Sequence, residues 1–142
     1  MRTYLDLVER ILTTGIEKAD RTGTGTIGVS SATLQHDMSK GFPLLTTKKV
    51  HVKSVLIELE FFIKGFTDNR WLKSRGVTIW DEWAAGDGDL GAIYGFQWRH
   101  FGAPYPGPIG IDRDGSGIGG VDQLADAIDK IKNKPQDRRI IV

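Results

Sequence analysis

With 142 residues, 19 Lys and Arg against 18 Asp and Glu, and a net charge of +1, the chain has material for one domain with a modest core, not for two ordinary ones. The near-balance of charge excludes a bulk nucleic-acid or acidic-membrane binder and leaves room only for local basic patches. No cysteine is present, which excludes disulfides, a thiolate metal site and a cysteine nucleophile within these residues.

The opening MRTYLDLVER is charged and unlike a signal peptide, and no apolar run approaches a membrane span. The default expectation is a soluble, cytoplasmic protein without a metal. Thr3 with Asp6 resembles a capping box. Leu5, Val8, Ile11 and Leu12 follow at helical spacing, and Gly15 closes the pattern, so a short amphipathic helix is predicted.

Lys18 to Thr26, KADRTGTGT, is a polar loop. Its glycine-freed amides, threonine hydroxyls and Arg21 can together hold a phosphate. No Gly-Lys-Ser/Thr follows, so it is not a Walker loop, and a plain polar turn is the commoner outcome for such a stretch taken alone. Ile27 to Leu34 reads as a strand with a bulge near Ser30 or Ser31, where the apolar phase slips by one residue. His36 to Gly41 is a polar turn, and Phe42 to Leu45 contains Pro43, so it is an edge strand at best.

The rest of the chain is organised around Val50 to Gly65, VHVKSVLIELEFFIKG, read as a helix. Val52, Val55, Leu56, Leu59, Phe62 and Ile63 share one apolar stripe, and Gly65 suits a C-terminal cap. Glu60 pairs with Lys64 or Lys53. Glu58 has no cation within helical reach. A carboxylate at the margin of a buried stripe is desolvated, which suits proton transfer near neutrality. The alternative, commoner from spacing alone, is a boundary Glu that reaches water or a distant Arg. His51, in the first turn, reads by itself as a surface residue.

Thr67 to Gly76 is a second, shorter helix anchored by Trp71 and Leu72. In VTIWDEW, Val77 to Trp83, two tryptophans bracket Asp81 and Glu82. Such a wall is either core or a stacking platform for a flat ligand. Core is the commoner case, but Asp81 and Glu82 would then need partners. Gly86 to Gly102 turns and then forms a short helix carrying Tyr94, Gln97, Trp98 and Arg99 between glycines that let a ligand approach. Ala103 to Gly120, with Pro104, Pro106 and Pro108, is a long exposed loop. Val121 to Lys134 is an amphipathic helix with Val121, Leu124, Ile128 and Ile131 on one face, stopped by Pro135. The closing QDRRIIV places Arg138 and Arg139 at the start of a strand, where neighbours point to opposite faces. Both reach one phosphate only if the backbone twists or two subunits take part; a solvated basic turn has equal standing.

Taken in order, DRTGTGT, GFPLLTTKK, the Glu-bearing helix ending FFIKG, VTIWDEWA, GDLGAIYGFQWR, GVDQL and DRRIIV closely resemble the amino-terminal half of the thymidylate synthase family. The resemblance runs from Tyr4 to Val142, broken mainly by the loop at 103–119. It implies an α+β fold, helices packed on a mixed sheet, with residues 1–142 forming the amino-terminal part of a single domain. It implies reductive methylation of dUMP to dTMP with 5,10-methylenetetrahydrofolate as co-substrate, in a cytoplasmic homodimer without nucleic acid or membrane partners. Arg21 matches the arginine that grips the dUMP phosphate, and Arg138 and Arg139 match the pair that reaches the phosphate of the other subunit. His51, Trp80 and Trp83 match folate-site residues. Glu58, Trp80 and Tyr94 match the residues around the reacting pyrimidine, Glu58 and Tyr94 through ordered water.

Two departures matter. Glu60 stands where the family usually has an apolar residue. The family's cysteine nucleophile lies in a Pro-Cys-His segment beyond the counterpart of Val142, as do the residues that read the base and ribose. The expectation is a chain truncated before its nucleophile, inactive by itself and marginally stable. A dCMP or dUMP hydroxymethylase, and a non-catalytic remnant that binds a nucleotide or partner, are the alternatives.

Overall fold

Helix α1 (Arg2–Thr14) opens the described part of the chain, residues 2–142 of a computed structural model. Thr3 lies inside the helix, so the expected Thr3–Asp6 capping box does not form. Asp6 instead pairs with Arg2 one turn back, at 3.2 Å. Gly15 ends the helix, its N–H donating to the Ile11 carbonyl at 2.8 Å. Strands β1 (Ile16–Lys18) and β2 (Thr26–Gly28) then form an antiparallel hairpin in the register Ile16↔Gly28, Glu17↔Ile27, Lys18↔Thr26. The strand expected over 27–34 is confined to 26–28, because its partner is only three residues long and the ladder ends with it. A single 3-10 turn, Met38–Lys40, follows, capped by Asp37, and Phe42–Leu45 joins no strand. These elements belong to a first compact unit, Met1–Val50, in which no described residue is buried.

The second unit, His51–Val142, carries all of the buried core. Helix α2 (Val52–Ile63) ends in a Schellman cap. Gly65 takes φ +73°, its N–H donates to Phe62 O, and Phe66 N–H reaches back to Phe61 O, both at 3.0 Å. The expected burial of the Val52–Ile63 stripe is overturned: Val52, Val55, Leu56, Leu59 and Ile63 are all exposed. The wholly buried residue is Phe61, about two and a half turns beyond Val52 and so on the opposite side of the helix. Phe61 forms the centre of a core with Trp71, Leu72 and Val77, onto which Ile57, Phe62, Phe66 and Trp80 pack.

Helix α3 (Asn69–Lys73) supplies Trp71 and Leu72, as expected, and Asp68 caps it by accepting from Arg70 N–H at 2.9 Å. Helix α4 (Tyr94–His100) crosses α2 closely. Gly95 makes this possible, since a Cβ there would lie within 3.0–3.1 Å of Phe62 and Phe66 backbone atoms. Helix α5 (Gln123–Asn133) is capped by Asp122, which accepts from Ala125 N–H at 2.9 Å. Its buried residue is Ala127; on the apolar face Leu124 is half-buried, while Val121, Ile128 and Ile131 stay exposed. Arg99 joins three of these helices. It grips Asp122 with Nε and Nη2 at 2.8–3.0 Å and donates from Nη1 to Ile63 O at 2.6 Å.

The Gly/Pro segment 103–120 has no regular structure, as expected, but it is not simply exposed. Ile109 is wholly buried. Its carbonyl accepts from Thr67 and Asp68 N–H, and its own N–H donates to Thr67 Oγ1, at 2.8–3.0 Å. The Tyr105 hydroxyl donates to Asp89 Oδ1 and lies 2.8 Å from Thr67 Oγ1. The terminal RRIIV is irregular rather than a strand. Five helices with one hairpin make the class α+β; the sheet among the described residues is a single antiparallel pair.

Candidate functional site

Glu58 meets its partner across the chain rather than along the helix. Trp80 Nε1–H donates to Glu58 Oε1 at 2.7 Å, and both residues are half-buried. The indole therefore supplies what helical spacing lacks, a donor from a segment 22 residues away. Around this bond the aromatic rings pack edge to face. Phe62 is the hub, with ring centroids 6.0 Å from Trp80, 5.4 Å from Tyr94 and 5.9 Å from Trp98. Trp80 and Tyr94 themselves stand 6.1 Å apart. Edge-to-face pairs at such distances are favourable beyond the area they bury. The structure thus brings Glu58, Trp80 and Tyr94 into one wall. Phe62, which organises that wall, was legible in the sequence only as one more member of the apolar stripe.

The wall faces water on one side: Tyr94 is 58% and Trp83 74% exposed. Trp83 is linked to Trp80 through the backbone, its N–H donating to Trp80 O at 3.1 Å. Of the acids between the two tryptophans, Asp81 is held by Asn69 Nδ2 at 2.8 Å, while Glu82 is exposed. The VTIWDEW stretch is therefore core at Val77, half-buried at Trp80 and open at Trp83.

His51, Arg138 and Arg139 make none of the bonds or ring contacts that build the wall. His51 is exposed, with Nδ1 2.6 Å from Ser54 Oγ. Arg138 and Arg139 are exposed; Arg139 N–H donates to Asp137 Oδ1 at 2.9 Å, and Lys130 Nζ donates to the Arg139 carbonyl at 3.3 Å. Neither guanidinium has an ion-pair partner among the described residues, in contrast to those of Arg70 and Arg99, which are bound to carboxylates.

In the first unit, the loop of Arg21 is organised from within. Asp20 Oδ1 accepts from Thr22 N–H at 3.0 Å and Thr22 Oγ1 at 2.8 Å. The Thr22 hydroxyl, followed by backbone amides of the loop, holds the Asp20 carboxyl below the usual carboxylate range. The Thr22 amide and hydroxyl are thus already turned onto the chain's own anion. The Arg21 side chain itself is exposed.

Two grooves, of about 740 and 670 Å³, are lined by residues 104–118 and 17–27 and include none of Glu58, Trp80 or Tyr94. Among the described residues no group of three or more His, Asp or Glu is placed to hold a metal, and no helix is long and apolar enough to cross a membrane.

The motifs that carry the resemblance agree with a comparison against family models. The model described as Thymidylate synthase matches residues 2–142, all but the first residue, and the chain belongs to the thymidylate synthase family.

Proposed function

We propose that this chain supplies the proton-handling, folate-facing and phosphate-holding parts of a site that methylates dUMP reductively to dTMP. The observation that carries the reading is the Trp80–Glu58 hydrogen bond, set beside Tyr94 in a chain matched to the family along nearly all its length.

In this reaction a thiolate adds to C6 of the pyrimidine, which makes C5 a nucleophile. The co-substrate methylenetetrahydrofolate supplies the one-carbon unit and then the hydride that reduces it to a methyl group. None of these 142 residues is a cysteine, so the thiol comes from elsewhere in the catalytic assembly. C5 must lose its proton before the one-carbon unit can be reduced, and this is the step for which Glu58 is suited. One oxygen of its carboxylate is fixed by Trp80, leaving the other to order water against the base. Tyr94, partly exposed at the same wall, adds a hydroxyl to that water network. Trp80 and the exposed Trp83 offer flat apolar surface to a pterin, and His51 lies at the start of the helix that carries Glu58. Arg21, Arg138 and Arg139 are the charge-assisted donors for the nucleotide phosphate, the last two reaching it across a homodimer.

The test is product analysis with dUMP and methylenetetrahydrofolate, using the catalytically complete protein. The reading expects dTMP and dihydrofolate in equal amounts. A hydroxymethylated nucleotide with tetrahydrofolate would replace it by the hydroxymethylase reading. Residues 1–142 alone are expected to give no turnover.

A further inference from the structure

We infer that Asn69 and Asp81 are positioning residues that set the Trp80 indole against Glu58. The inference rests on the reading of Glu58 and Trp80 as part of the reaction site. Asn69 is 1% exposed, yet its Oδ1 is a buried side-chain polar atom with no partner among the described residues. An unmet buried acceptor is destabilising, and an apolar residue of similar size would avoid it. Stability alone therefore does not account for an amide at this place. What the amide provides is a grip. Nδ2 donates to Asp81 Oδ1 at 2.8 Å, while the Asn69 backbone N–H donates to Gly88 O at 2.9 Å. One residue at the start of α3 thus holds both limbs of the irregular segment that carries Trp80 and Trp83.

Packing holds the Trp80 ring from the other side, on Phe62 and Tyr94, and Val77 is buried at the root of the segment. Its backbone is turned by Asp81 N–H on Thr78 O and Trp83 N–H on Trp80 O, both at 3.1 Å, and by Ala85 N–H on Asp89 O at 2.9 Å. Lys73 also faces Asp81, at 3.6 Å, with side chains 55% and 33% exposed, a geometry in which an ion pair contributes little. The shorter, part-buried amide bond is the stronger tie. It acts one residue from Trp80, whose Nε1–H must be aimed at Glu58 to make the 2.7 Å bond. Small displacements of such groups carry large kinetic effects.

The experiment reads the Trp80 indole N–H by NMR in residues 1–142. The chain has four tryptophans, and Trp80→Phe assigns the peak. Asp81→Ala is expected to shift that resonance and to speed its exchange with solvent by about tenfold. Asp81→Asn retains an acceptor for Asn69 and should restore the native resonance, and Lys73→Met should leave it unmoved. If Asp81→Ala does not fold, Asp81→Glu replaces it: the charge stays, the acceptor moves by one methylene, and the same change is expected. In the catalytically complete protein, the displaced variant should raise KM for the folate and lower kcat by about tenfold, with KM for dUMP kept. An unmoved Trp80 resonance in the displaced variant, or Asp81→Asn as damaging as Asp81→Ala, would overturn the inference. Failure of the wild-type protein to make dTMP would instead overturn the functional reading and leave the NMR result standing.

Discussion

The two units of the chain use similar residues to opposite ends. Residues 2–50 contain Leu5, Leu12, Ile16, Ile27, Leu34 and Phe42, and every one of these stays exposed. Residues 51–142 bury Phe61, Trp71, Leu72, Val77, Phe96 and Ile109. Polar groups differ in the same way. Asp20, Asp37 and their turns are satisfied by neighbours two residues away, whereas Thr67, Tyr105 and Asp89 bond over separations of 16 to 42 residues. Long-range bonds over a closed core hold the second unit in shape, and that is the unit in which Glu58, Trp80 and Tyr94 meet. The first unit carries Arg21 on a loop closed on itself.

The largest expected effect tests where the stability lies. Phe61→Ala should cost about 3–5 kcal/mol in urea unfolding, and Phe42→Ala, at a position 78% exposed, about 0.5 kcal/mol or less. Equal costs would dissolve the contrast between the units. Tyr105→Phe removes the donor to Asp89 and should cost about 1–3 kcal/mol by the same measurement. Gly65→Ala forces a side chain into φ +73° against Arg99 Cβ and Cγ at 3.1 Å; about 1 kcal/mol is expected, with fraying of the end of α2 seen by hydrogen exchange.

Titration sharpens the same comparison at smaller scale. Burial works to raise the Asp122 carboxyl, but the Arg99 guanidinium and the Ala125 amide outweigh it and hold the group below its ordinary range. A carboxyl lowered on folding stabilises above its unfolded pKa, and that contribution is lost as pH falls through the folded value. Melting temperature should therefore drop in acid, and Asp122→Asn should remove part of the drop. Burial, and then the Asp89 carboxylate, push the Tyr105 hydroxyl up. Its stabilisation is complete below the ordinary tyrosine range and is lost as pH rises towards the folded value. Of the three tyrosines, one should ionise only with alkaline unfolding, as followed by ultraviolet absorbance.

Helix positions were largely legible in the sequence, because spacing and caps are local. Gly15 and Gly65 lie where the helix signals put them, and α5 starts two residues after the expected Val121. Which face of α2 turns inward was not legible. The stripe from Val52 to Ile63 is a better amphipathic pattern than Phe61 with Ile57, but burial follows what packs against it, and Trp71 and Leu72 meet the Phe61 side. Composition likewise marks 103–120 as loop and cannot foresee Ile109 docking on Thr67, since that bond is tertiary. The candidate site residues were legible only as separate residue types along the chain. The bond that joins Glu58 to Trp80 was not, because an indole N–H 22 residues away leaves no trace in helical spacing.

The most direct test of the account is release of tritium from C5 of labelled dUMP by the catalytically complete protein, wild type against Glu58→Gln. The account predicts that release falls by about 10²- to 10⁴-fold while dUMP affinity stays near the wild-type value. Release at the wild-type rate in Glu58→Gln would contradict it, because the carboxylate held by Trp80 would then have no part in moving the proton.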